Sequence, residues 1–232
     1  MISVIVGLYN EEEGLPSFIE TFFKDIKLKE DFELILVDDG SIDNTKNIIL
    51  KFRKKYPKIK LICYRPNRGL GNALRIGFKH AKGRIIVTLD SDLAHPPKYI
   101  RQLIETVDRG YDLVVCSRYF KGAGISGVPY HKAFLSKLSN IVTRTVIMTS
   151  ISDVTSGFRA YNVNKLKKVV SKEKGFEVEV ELLVKLLKKR AKIKEIPFKS
   201  QDRKVGESKF NVLTDGLGYS LRILKIMLYR WL

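Results

Sequence analysis

With 232 residues, 44% of them hydrophobic and 29% charged, the chain has the size and balance of one ordinary globular domain able to bury a core. A formal charge of +18 directs the surface toward anionic partners, namely nucleic acid, phosphorylated substrates or acidic lipid headgroups, although some lysines serve only as solvated helix faces. No run approaches the roughly 18 consecutive apolar residues of a membrane span, and Met1 leads directly into apolar sequence without a basic segment, so neither a span nor a secretory signal is expected.

Short apolar, β-branched runs recur along the first half: Ser3 to Val6, Leu34 to Val37, Leu61 to Tyr64, Ile85 to Leu89 and Leu113 to Cys116. Each reads as a buried strand, and the amphipathic stretches between them read as helices, so the pattern predicts an α/β fold with a mostly parallel central sheet flanked by helices. Asp43 to Tyr56 shows the helical period well, with Ile48, Ile49 and Phe52 inward until Pro57 stops it. Cys63 and Cys116 lie within strand runs and read as core thiols of a reducing compartment. Beyond residue 118 come a Gly-rich loop (Gly122, Gly124, Gly127), a helix from His131 to Met148 and a polar turn from Asp153 to Arg159. A helix near Glu179 to Arg190 and a short strand from Lys194 to Pro197 follow. The segment from Ser208 to Leu232 reads as an amphipathic helix with Leu217, Leu221, Leu224, Leu228 and Trp231 along one side, either packed on the domain or lying in a membrane interface. Residues 1–207 then form a catalytic domain and 208–232 this appended helix.

In open α/β sheets ligands bind at the carboxyl ends of the strands. Two acidic pairs stand there, in what read as neighbouring βα units. Asp38-Asp39 ends one apolar strand before Gly40, where a carboxylate can accept from a base or ribose or can merely cap a turn. Asp90-Ser91-Asp92 ends another, and two acids so placed can converge on one hard cation bound to phosphates. A solvated surface turn is the plainer reading, but so apolar a strand rarely ends in two close charges without a counter-ion.

Together with Tyr9-Asn10-Glu11, these sites resemble the inverting family 2 glycosyltransferases. Arg65-Pro66-Asn67-Arg68-Gly69-Leu70-Gly71-Asn72-Ala73, Asp90-Ser91-Asp92-Leu93-Ala94-His95-Pro96-Pro97, Ser117-Arg118-Tyr119 and Asp153 through Tyr161 extend the resemblance to the dolichol-phosphate mannose synthase branch. The resemblance implies a GT-A fold in which Tyr9, Glu11, Asp38 and Asp39 bind the nucleotide. It implies that Asp90 and Asp92 hold Mg²⁺ or Mn²⁺ against the donor diphosphate, that Arg203 contacts phosphate, and that Gly206 lets its loop close. Arg118, Lys132 and Ser136 fall where relatives bind an acceptor phosphate, with Lys132 standing where Arg is commoner. Ala94 replaces a Gln near the metal, and Gly7 and Leu8 replace Pro and Thr before the Tyr-Asn-Glu triplet.

The activity so implied is inverting transfer of mannose from GDP-mannose to a dolichyl or other polyprenyl phosphate, by an enzyme held peripherally on the cytoplasmic face of a membrane. The bilayer surface or a membrane partner subunit would be its partner. A UDP-sugar donor on the same scaffold is the alternative. A basic nucleic-acid-binding module is the rival of another class, and it fails for want of any nucleic-acid motif, so no nucleic-acid partner is expected.

Overall fold

The computed structural model describes residues 1–169, 171–201, 222–226 and 228. The first half runs β1 (Ile2–Leu8), α1 (Leu15–Asp25), β2 (Phe32–Asp39), α2 (Thr45–Lys55), β3 (Ile59–Tyr64), α3 (Leu70–His80) and β4 (Ile85–Thr88). After a 3₁₀ turn at Pro97–Tyr99 come α4 (Ile100–Asp108), β5 (Leu113–Ser117), β6 (Gly124–Ser126) and α5 (Tyr130–Val146). Next follow β7 (Arg159–Asn162), α6 (Val163–Leu166), α7 (Val178–Lys188), β8 (Ile193–Pro197) and β9 (Lys199–Gln201). Seven strands form one sheet in the order β3-β2-β1-β4-β7-β5-β8, while β6 and β9 pair separately.

Every expected strand is present, and the sheet is parallel except at β7, which runs antiparallel between β4 and β5. The near-continuous apolar composition of β1 follows from its central position, covered on both faces. Ile2, Val4, Val6 and Leu8 join one core layer with Phe18 and Phe22 of α1 and Ile100 and Leu103 of α4. Ile5 joins the other, with Ala73 and Leu74 of α3 and Leu183 and Leu186 of α7. In α2, Ile49 is buried and Ile48 and Phe52 pack against the same layer, as the period requires. The Asp43 carboxylate accepts the Thr45 N–H at 3.0 Å at its start.

Four readings need correction. Cys63 is exposed although Cys116 is buried, because β3 is the sheet's edge strand and cannot cover both its faces. The two acidic strand ends are not adjacent: β2 and β4 flank β1, so the Tyr9 loop lies between them. The polar turn at Asp153 ends in a strand, Arg159 opening β7, since its polar side chains find partners within the sheet's end. The Gly-rich loop contains β6.

Arg203, Gly206 and the proposed boundary at residue 207 lie outside the described residues, as does the side chain of Lys132. Within the C-terminal stretch, Ile223 and Ile226 are buried in the second core layer, whereas Leu224 and Leu228 of the leucine stripe are exposed; Leu217, Leu221 and Trp231 lie outside the described residues. Among the described residues no helix is long and apolar enough to cross a membrane.

Helix α3 approaches β1 so closely that a Cβ on Gly77 would stand 2.5 Å from Ile5 Cγ2. Gly77→Val is expected to lower the unfolding free energy by about 1–3 kcal/mol through overpacking, measured as a reduced midpoint in urea denaturation.

Candidate active site

Three loops at the carboxyl ends of β1, β2 and β4 build the site, and hydrogen bonds join the first two. The Asn10 N–H donates to Ser41 Oγ at 3.0 Å, and Asn10 Oδ1 accepts from the Ile42 N–H at 2.9 Å. The Glu11 N–H donates to Thr45 Oγ1 at 2.9 Å. The loop after β1 is thereby fastened to the turn that opens α2. Left-handed backbone recurs around the cleft, at Asn10 (φ 50°), Gly40 (78°), Gly69 (87°) and Leu93 (61°). For Leu93 this conformation is strained, and it persists only because its surroundings hold it.

The adjacent acids Asp38 and Asp39 have separate tasks. Asp38 Oδ1 accepts the Ser41 N–H at 2.9 Å and so closes the turn at Gly40. The Asp39 carboxylate accepts from the Arg68 and Gly69 N–H groups at 2.8 and 2.7 Å and from Asn67 Nδ2 at 3.0 Å. It therefore clamps the loop before α3 as well as facing the cleft. Burial, with the Asp39 charge nearby, pushes the Tyr64 hydroxyl pKa upward.

Tyr9, Glu11, Asp39, Asp90 and Asp92 line one cavity of about 230 Å³, together with Asn67, Gly69, Gly175 and Phe176. Asp38 is not part of that lining. The last four residues had no assigned role in the sequence. Asn67 and Gly69 lie in the segment from Arg65 to Ala73, but Gly175 and Phe176 arrive only because the loop before α7 folds onto α3. There the Gly71 N–H donates to Lys174 O at 2.7 Å and Arg75 Nη1 to Glu173 O at 2.6 Å. A Cβ on Gly71 would stand 2.1 Å from Glu173 O, so the contact needs glycine.

Asp92 Oδ1 accepts the Ala94 N–H at 3.0 Å, and the Asp90 N–H donates to His95 Nδ1 at 3.1 Å. That bond occupies the Nδ1 lone pair and selects the Nε2–H tautomer, so the 3.5 Å approach of Nδ1 to the Asp90 carboxylate is not an ion pair. The His95 ring is stacked on Phe158 at 5.2 Å, which fixes the loop from behind. Among the described residues no cluster of three His, Cys, Asp or Glu could hold a metal by itself. Two carboxylates on one cleft wall suit a hard cation that takes its remaining oxygens from phosphate and water.

Behind Asp90 lies the polar centre of the domain. Arg159 is wholly buried and donates to Ser156 O at 2.6 Å, Val154 O at 2.8 Å and Glu179 O at 2.6 Å. Its Nη1 also stands 3.2 Å from the Glu179 carboxylate. A Cβ on Gly157 would be 3.6 Å from both Asp90 Oδ1 and Glu179 Oε1, so this glycine separates the two acids. Burial pushes Glu179 up to about 7; Arg159 opposes that shift and the Asp90 charge adds to it.

Arg118 and Ser136 form a second cluster beside the first. Arg118 donates from Nε and Nη2 to the two oxygens of buried Asp153, both at 2.8 Å, and from Nη2 to Thr155 Oγ1 at 3.2 Å. Burial disfavours its charge, but the Asp153 carboxylate outweighs that and holds the pKa above its ordinary value. Tyr119, whose ring centre lies 5.3 Å from Arg118 Cζ, donates its hydroxyl to Ser136 Oγ at 2.7 Å.

The sequence from residue 3 to residue 170 matches the pattern of Glycosyl transferase family 2. The chain belongs to that family. It is 34% identical over 228 residues to dolichol-phosphate mannosyltransferase of Pyrococcus furiosus, covering 97% of this chain and 64% of that one, so it spans just under two thirds of that relative's length. It is 29% identical over 215 residues to polyprenol monophosphomannose synthase of Mycolicibacterium smegmatis, covering 90% and 80%. In fold it matches glucosyl-3-phosphoglycerate synthase from Mycobacterium tuberculosis, solved with Mn²⁺, uridine diphosphate and glucosyl-3-phosphoglycerate, with a TM-score of 0.72 at 22% identity over 99% of this chain and 79% of that one. The family's GT-A fold is the architecture described above.

A carboxyl of ordinary pKa 4.5 that reaches about 7 in the native state keeps its proton there while the unfolded chain has released it. Native protein then binds more protons than unfolded between pH 4.5 and 7, so the unfolding free energy falls as pH rises through that window. Glu179→Gln is expected to flatten this slope in urea titrations at stepped pH without added divalent cation.

Proposed function

We propose that the chain transfers a mannosyl group, with inversion, from GDP-mannose to a polyprenyl phosphate. The carrying observation is the convergence of Tyr9, Glu11, Asp39, Asp90 and Asp92 on one cleft at the ends of three adjacent parallel strands. The names of the Pyrococcus and Mycolicibacterium relatives support the lipid phosphate acceptor and the mannosyl group.

Tyr9, Glu11 and Asp39 hold the nucleoside in this reading. Asp39 positions the Asn67–Gly69 wall, and Asp38 supports the nucleotide loop through its turn. Asp90 and Asp92 would hold Mg²⁺ or Mn²⁺, which when bound offsets the charge of the diphosphate leaving group. A phosphate acceptor is already an anionic nucleophile and needs no general base. One of its oxygens forms the new bond to the anomeric carbon as the bond from that carbon to the nucleoside diphosphate oxygen breaks, and the electron pair leaves with the diphosphate. The protein's work is to bring two anions together in line.

Arg118 supplies positive charge near Asp90, oriented by Asp153 and accompanied by Ser136 at one remove through Tyr119. Lys132 and Arg203 are proposed to add to it. The acceptor places the enzyme peripherally at the cytoplasmic face of a membrane, where the segment from residue 208 onward or a membrane partner subunit would help retain it.

A thermal-shift panel of GDP-mannose, UDP-glucose and UDP-N-acetylglucosamine, each with and without Mn²⁺, tests the donor, since a ligand bound only to native protein raises its apparent stability. A shift with GDP-mannose that requires Mn²⁺ is expected; a shift confined to a UDP-sugar would replace the donor. Asp92→Ala is expected to remove the Mn²⁺ dependence and to reduce transfer of radiolabelled mannose by at least about 100-fold while the ligand-free melting temperature is retained. Near-normal turnover would remove Asp92 from the site.

A further inference from the structure

We propose that Arg222 is a positioning residue of the donor cleft: through the buried carboxylate of Glu177 it holds the Gly175–Phe176 wall where a nucleotide sugar packs against it. This deepens the reading of the cleft as a donor site and rests on that reading for the ligand. The cleft has two unlike walls. Glu11, Asp39, Asp90 and Asp92 make one acidic, whereas Leu70, Ala73 and Phe176 make the other apolar. Phe176 is 47% exposed, so its ring keeps apolar surface to offer the face of a bound ligand.

From residue 171 to residue 177 the chain has no helix or strand and takes its shape from its neighbours. Glu181 of α7 accepts the Lys172 and Glu173 N–H groups at 2.9 Å, and α3 holds the carbonyls of Glu173 and Lys174. Beyond Lys174 the grip passes to Glu177. Its Oε1 accepts the Gly175 N–H at 3.3 Å, and a Cβ on Gly175 would stand 2.5 Å from Oε2, so the carboxylate lies directly against the backbone of the wall. Glu177 is 3% exposed, and a carboxylate so placed is costly without a partner. Arg222 Nη1 supplies one, donating to the same Oε1 at 2.5 Å.

Residues 222–226 are helical, and Ile223 and Ile226 are buried in the core layer that also takes Val178 and Leu182 of α7. Arg222 is thus presented from an anchored base, although its own side chain is 54% exposed and does not line the cavity. The complementarity extends beyond one pair. Burial, together with the Glu181 and Glu177 charges, pushes the Glu173 carboxyl pKa up, and Arg222 and Lys225 oppose that shift. Without Arg222, Glu177 would carry an uncompensated charge beneath Gly175, which it relieves by moving toward water and taking the wall with it.

The test is a double-mutant cycle in the 232-residue chain with Arg222→Ala, Glu177→Gln and both together, and with Arg222→Lys as the conservative variant. Glu177→Gln keeps an oxygen for the Gly175 N–H but leaves no charge to neutralise. Arg222→Ala is expected to raise the KM for GDP-mannose about tenfold, with kcat and the acceptor KM changed by less than about twofold. It also speeds hydrogen exchange in residues 171–178 while α1, α2 and β1 keep their wild-type rates. Arg222→Lys restores most of the donor affinity, and Arg222→Ala has no further effect in the Glu177→Gln background. Unchanged donor KM and exchange in Arg222→Ala overturn the proposal. So does an equal loss in both backgrounds, or exchange raised across the whole domain with a lowered melting temperature, which would make Arg222 a general stabiliser. The exchange measurement needs no ligand and so separates the two readings: a wild type that turns over no GDP-mannose removes the donor assignment, while exchange in Arg222→Ala still decides the positioning role.

Discussion

The structure depends on one buried guanidinium. Arg159 opens the only antiparallel strand of the main sheet among the described residues and gathers the carbonyls of Val154 and Ser156, the first turn of α7 and the Glu179 carboxylate. An unpaired charge at that depth would cost several kcal/mol, so its partners are constrained to remain where they are. Those constraints reach the site. The loop fixed by Arg159 carries Gly157, whose carbonyl accepts from Thr88 at 2.7 Å just before Asp90, and it carries Asp153, which orients Arg118. Both clusters thus share one backing.

Around the cleft, stability yields to geometry. Left-handed backbone at Asn10 and Leu93 and close backbone approaches at Gly40, Gly69 and Gly71 are features that a domain selected for stability alone would avoid. They let loops from α2, α3 and α7 converge on the ends of three strands. Negative charge is concentrated by the same convergence, with Asp39, Asp90, Asp92 and Glu11 lining one cavity in a strongly cationic protein. The net positive charge draws anions toward the protein, and in the proposed reading a bound cation mediates their contact with the acidic wall.

Helix α5 is mostly polar on its inner side and apolar on its outer one. Its polar side chains are used inward, on Tyr119 and Thr155, so its apolar ones are left outward.

The sequence by itself determined the strands, their alternation with helices and the acidic residues at their ends, because apolar runs and strand-end carboxylates are local signals that survive whatever the partners are. The motif order from Tyr9 to Tyr161 was enough to indicate the family and most of the cleft. What only the tertiary structure decided was contact between distant segments. The insertion of β7 between β4 and β5 rests on Arg159, which looked like part of a polar turn until its carbonyl partners were in place. Gly175 and Phe176 reach the cleft because Gly71 and Arg75 of α3 donate to the carbonyls of Lys174 and Glu173, acceptors that every residue carries and no sequence pattern marks. Asp38 and Asp39 are indistinguishable in sequence, yet one closes a turn and the other clamps a loop nearly 30 residues away, because adjacent side chains on a strand point to opposite faces. Cys63 is exposed for the same kind of reason, since a strand's composition reports its apolarity but not whether it lies at the edge of the sheet.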